Sequence, residues 1–320
     1  MVSFNNVFKG GWCDFKDNPV LIIPGILSSI AGLLFGFILL WTLFGDIGTV
    51  ASFFLGTVDP FFFESIDFEA LNLSLFGLTL LVGAILALIF YAFLYSGLTG
   101  MAKEAALTGS TKLGDFFSYG VQYLPRVLCY LFIVYVIIIG IPLVALYGSF
   151  VALIIVAIGA MTGSGGAALA LVLLPVIMII LLILIILLVL ITYFGTYAIV
   201  VDDMGVIGGL KKSYYLFMDN KANVFIFVLL LTALALCVAF IMYAYTLILG
   251  FIPVIGPAIT FLMDTVISAT LLALMFAWGV RMYYELTDET DEETVHDEYS
   301  EYASIEQGIL ENQPSSISKL

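Results

Sequence analysis

Residues 167–200, AALALVLLPVIMIILLILIILLVLITYFGTYAIV, carry no charged side chain over 34 positions. Roughly 20 apolar residues are enough to cross a bilayer as a helix. Similar runs at about 20–44, 71–98, 127–161, 224–249 and 259–283 bring the total to six. In lipid, each backbone N–H and C=O must pair within its own segment or around a closed barrel. These runs are continuous and do not alternate with polar residues, so they read as helices. The expected fold class is an all-α integral membrane protein. About six transmembrane helices form three hairpins, each preceded by a short cytosolic interfacial amphipathic helix. Composition agrees with this: 63% of residues are hydrophobic and 11% charged, with a mean hydropathy of +1.19. A soluble domain of this size needs more polar surface to cover its core.

The formal net charge of -14 is unevenly spread. Residues 286–320 hold ten acids and one lysine. The sequence therefore divides into a six-span membrane domain, 1–285, and an acidic cytosolic tail, 286–320. The tail has too few apolar residues to offset the entropy of ordering, so disorder is its expected state. It is also the natural surface for a protein partner. Nothing points to nucleic acid, and the oligomeric state is left open.

Basic residues orient the spans, because cytoplasmic loops are enriched in Lys and Arg. Lys9 and Lys16 precede span one, and Lys103, Lys112 and Arg126 lie between spans two and three. Lys211, Lys212 and Lys221 lie between spans four and five, and Arg281 and Lys319 stand at or after the end of span six. Six crossings put all ten on one side. The loops 45–70, 162–166 and 250–258 contain none. Both termini are expected to be cytosolic, in the cell (cytoplasmic) membrane.

The segments before spans one, three and five mix large apolar and polar residues at helical spacing. Val7, Phe8, Trp12 and Phe15 form one set; Phe116, Phe117, Val121 and Leu124 another; Leu210, Tyr214 and Phe217 the third. This is the pattern of a helix lying at the interface, and it suggests a threefold internal repeat. At FKDNPVLIIP, AKEAALTGSTKLGDFFSYG and YAIVVDDMGVIGGLKKSYYLFMDN the chain resembles a known family. This is the membrane domain found beside some glycerophosphodiester phosphodiesterases, with related stand-alone, mostly archaeal proteins of unknown function. The resemblance covers roughly 4–284 and implies a helical six-span fold. It implies no enzymatic activity here, because the soluble portion is too small to form the catalytic barrel or hold its metal.

Material for catalysis is scarce. The single histidine, His296, lies in the tail, and Cys13, Cys129 and Cys237 form no CxxC pair. No disulfide, metal site or cofactor is expected. GGLKKS at 208–213 is superficially similar to a phosphate loop but lacks its G-x-x-x-x-G-K spacing and preceding strand. The Asn72-Leu73-Ser74 sequon abuts span two and is not expected to be modified.

Asp264 is the one carboxylate placed inside a span. A charge there is costly unless paired, neutral or hydrated. With Thr265 and Ser268 it forms the candidate intramembrane polar site. The simpler reading is an acid near the outer interface that bonds to water or a neighbouring helix. Lys211, Lys212 and Lys221 are candidate contacts for anionic head groups. Asp202 and Asp203 are expected to cap the helix that follows. Ser28, Gly32 and Gly36 form a small-residue stripe suited to close helix contact on span one. The functional expectation is a non-enzymatic organising or accessory membrane protein, the alternative being a transporter or permease for a small solute or lipid. Finally, spans three and four exceed the bilayer thickness. A bend at Pro142 or Pro175, or apolar cover from the 45–70 loop, is expected to absorb the excess.

Overall fold

A computed structural model describes residues 2–54, 72–161, 166–252 and 255–311, by backbone alone at 53–54, 139, 141–161, 166–175 and 288–311. All regular structure among the described residues is helical. The elements are α1 (Phe4–Asp17), α2 (Ile22–Phe44), α3 (Ile47–Phe54), α4 (Leu73–Thr108), α5 (Leu113–Met161), α6 (Gly166–Thr192), α7 (Gly195–Val201), α8 (Val206–Asp219), α9 (Lys221–Leu249) and α10 (Ile255–Glu311). Six stretches are long and apolar enough to cross a membrane: Pro19–Phe44, Leu73–Thr108, Leu113–Ile138, Val176–Val201, Lys221–Leu249 and Ile255–Thr287. The expected bend at Pro142 or Pro175 and the apolar cover from Phe53, Phe54 and Phe61–Phe63 fall outside the described side chains.

Two of the short helices expected before spans stand alone, as α1 and α8. The third does not. Residues 113–126 are the opening turns of α5, and Pro125 lies inside that helix without ending it. Packing supplies the reason. Phe116, Gly120, Tyr123, Val127, Tyr130 with Leu131, and Val134 are all buried and recur every three or four residues across the expected boundary. One continuous face is therefore held against α4, its most extensive neighbour. Likewise α4 runs on past the expected end of span two. Its residues Ser96–Ala102 and Ala105 are buried, and Gly109, at φ 75°, terminates the helix. A left-handed glycine is a common helix stop. The backbone of α10 stays helical beyond span six into the acidic segment as far as Glu311.

The buried core lies towards the end of the bundle that carries the termini. Leu21, Leu94, Leu98, Met101, Phe194, Leu216, Phe227, Met282, Tyr283 and Leu286 are almost fully enclosed there. Polar groups pin the connections at this end. Asn18, between α1 and α2, donates to the Asp14 carbonyl at 2.9 Å and accepts from the Thr111 amide at 2.9 Å. The Trp278 indole donates to the Phe8 carbonyl at 3.0 Å, and the two rings meet edge-on at 5.2 Å. Arg281 of α10 binds both carboxylate oxygens of Asp14 at 2.7 Å.

The small-residue contact on span one is displaced from the expected stripe. A Cβ at Gly32 would meet nothing within 4 Å, whereas one at Gly25 would lie 2.6 Å from the Ala269 Cα of α10. Gly25 is the point where the two backbones touch. Gly25→Ala is expected to cost about 1–2 kcal/mol, because a neighbouring backbone cannot step aside cheaply. Gly32→Ala should be neutral or stabilise by up to about 1 kcal/mol through helix propensity. Thermal unfolding of the two variants in detergent checks the pair, and equal effects would refute the assignment.

Candidate functional site

The residues expected to form the intramembrane polar site do not converge. The Asp264 carboxylate accepts a hydrogen bond from the Tyr245 hydroxyl of α9. Both groups lie near the connection between α9 and α10. Thr265 is buried, one turn before the Ala269 that meets α2, and its hydroxyl makes no hydrogen bond among the described residues. Ser268 is exposed on the outside of the bundle. The acid is thus bonded to a neighbouring helix, in line with the simpler reading. Asp264→Asn keeps an acceptor for Tyr245 and is expected to change stability by less than about 1 kcal/mol. A larger loss of thermal stability would show that the charge itself is needed.

Asp202 and Asp203 do not cap α8. Its N-cap is Gly205, without a side-chain cap bond. Asp202 instead accepts from the Tyr283 hydroxyl. Asp203 takes a left-handed conformation at φ 53°, and its carboxylate meets Arg126 of α5 at 2.6 Å. The Arg126 bond, then one from Tyr123, holds this carboxyl below the usual range. Both partners are well exposed, so the pair contributes little to stability. Lys103 donates to the Val201 carbonyl at 2.8 Å. The three cysteines are free thiols. Asn72 is the N-cap of α4 and accepts from the Leu75 amide. Lys211 and Lys221 are exposed and Lys212 half-exposed, with no acidic partner among the described residues.

Sequence reading treated span four as one uninterrupted helix. It is broken. The helix stops at Thr192, turns through Tyr193 and Phe194, and resumes at Gly195 as α7. Broken backbone at membrane depth requires local partners or a cavity, and here it has both. Ser213 of α8, fully buried, donates to the Ile191 carbonyl at 2.6 Å and accepts from the Phe194 amide at 3.1 Å. The Tyr130 hydroxyl of α5 donates to the Thr192 carbonyl. Beside the break lies a cavity of about 300 Å³. Its polar lining is Tyr95, Tyr130, Tyr135, Tyr193, Tyr197, Thr192 and Thr196; the remainder is apolar, and among the described residues no acid or base lines it. Tyr193 and Tyr197 stack at 5.9 Å. The break lies some seven residues, roughly 10 Å, from the end of α7.

Six apolar helices, one of them interrupted beside a hydroxyl-lined cavity, define a multi-pass helical membrane protein. The chain belongs to the family described as Domain of unknown function (DUF7847), which matches residues 4–286. No curated protein and no solved structure matches it.

Proposed function

We propose that this protein is a non-enzymatic organising or accessory component of the cytoplasmic membrane. The observation that carries the reading is where its charged groups are used. Arg281, Asp14, Arg126, Asp203 and Lys103 hold helices together at one end of the bundle. Asp264 is bonded to Tyr245 near the α9–α10 connection, and the polar groups lining the cavity are all hydroxyls among the described residues. A driven solute path ordinarily contains ionisable groups that load and release its cargo or coupling ion. In this reading α1 and α8 lie at the interface before two of three hairpins, with Trp12, Tyr214 and Tyr215 exposed towards the head groups. Lys211, Lys212 and Lys221 contact anionic lipid, and the acidic tail meets a protein partner on the side of both termini. The resemblance to membrane domains that accompany phosphodiesterases fits an accessory role beside a separate catalytic protein.

The alternative, a permease for a small solute or lipid, draws on the interrupted span, a feature of many transporter sites. Reconstitution of the full chain into liposomes separates the two. No protein-dependent flux is expected across a panel of ions, sugars, amino acids and fluorescent lipids, and saturable flux of any of them would favour the permease. Reporter fusions at Leu320 and within 55–70 should report opposite sides of the membrane. Matching sides would refute the orientation.

A further inference from the structure

We propose that the cavity beside the span-four break is a binding site for an uncharged lipid whose head group bears a hydroxyl or carbonyl. The proposal goes beyond the accessory reading and does not depend on whether the protein transports anything.

Three observations carry it. First, the cavity holds hydroxyls left over after the break has been satisfied. Tyr130 serves the Thr192 carbonyl. Thr196, only 8% exposed, and Tyr95 make no hydrogen bond among the described residues, yet both line the cavity. An unpartnered hydroxyl in an apolar setting is unfavourable unless a ligand or water meets it. Second, among the described residues no acid or base lines the space. A phosphate or ammonium head would enter without a counter-charge, at a desolvation cost that hydroxyls do not repay. Third, the rim is open to the bundle surface. Tyr135 and Val189 line the cavity and are each 37% exposed. A head group can sit among the hydroxyls while its tail leaves into the bilayer past these two residues. The volume of about 300 Å³ is at the lower end of ligand pockets, which suits a small head but not a whole lipid.

The test is saturation binding to the full chain in phosphatidylcholine nanodiscs. Two radiolabelled probes distinguish the sources of the shared chemistry: dioctanoylglycerol for a hydroxyl head and decylubiquinone for a carbonyl head. At least one should bind saturably at about one per protein, while excess phosphatidic acid or decane should not displace it. Thr196→Val removes a hydroxyl that has no internal partner. It should leave thermal unfolding unchanged but weaken binding about fivefold, the equivalent of one hydrogen bond. Tyr95→Phe should weaken binding by a similar factor. Absence of saturable binding by both probes would overturn the proposal, as would equal displacement by decane or phosphatidic acid. Wild-type affinity in both variants would do the same.

Discussion

Ser213→Ala is expected to lower stability by about 2–4 kcal/mol, a large effect for the loss of one oxygen atom. The Ser213 hydroxyl serves both sides of the span-four break, accepting from the Phe194 amide and donating to the Ile191 carbonyl. Alanine leaves two main-chain groups without partners in a region where water is scarce. Each such group costs several kcal/mol in pure hydrocarbon, and local relaxation offsets part of that. Ser213→Cys, with a weak donor and acceptor of similar size, should lie between the two. Unfolding in detergent gives the stability, and amide exchange at Phe194 gives the local opening. A loss below about 0.5 kcal/mol, with Phe194 still protected, would mean that the break is held by other contacts.

Arg281→Ala is the second large effect, expected at about 2–3 kcal/mol. The guanidinium makes two parallel bonds to Asp14, a geometry lysine cannot reproduce. It also donates to the Ala106 carbonyl at 3.3 Å, so one side chain joins α10, α1 and α4. The Asp14 side chain is 9% exposed, and that of Arg281 is 35% exposed. Removing the arginine therefore strands a buried carboxylate, while water still reaches the arginine side and moderates the loss. Asp14→Asn keeps the volume and one acceptor, and should cost about 1 kcal/mol. The double variant should recover part of the Arg281→Ala loss, because the stranded charge is gone. Strict additivity in this cycle would show that the two residues act independently.

The sequence by itself determined the class of protein. Uncharged runs longer than a bilayer is thick leave the backbone no option but helix, and there are six of them, matching the six helices long and apolar enough to cross a membrane. It also identified α1 and α8, because their apolar residues recur at helical spacing. The reading failed where several helices had to be considered together. Residues 113–126 look like a separate surface helix until α4 is seen to bury the same face on both sides of Val127. Asp264, Thr265 and Ser268 are close in sequence, but one faces α9, one is buried near α2 and one is exposed.

The cavity residues left a faint trace: Tyr193 and Tyr197 are polar-tipped aromatics one turn apart in an otherwise largely aliphatic span. Nothing in that spacing showed that Tyr95, Tyr130 and Tyr197 would share one cavity. The only local mark of the interruption at Tyr193 and Phe194 is Gly195, a weak breaker on its own, and the partner that makes the break tolerable, Ser213, comes 19 residues later on another helix. Apolar length and helical period are properties of one segment. Which hydroxyl meets which carbonyl depends on how separate segments pack, so only the tertiary structure decided the break, the cavity and the Arg281–Asp14 tie.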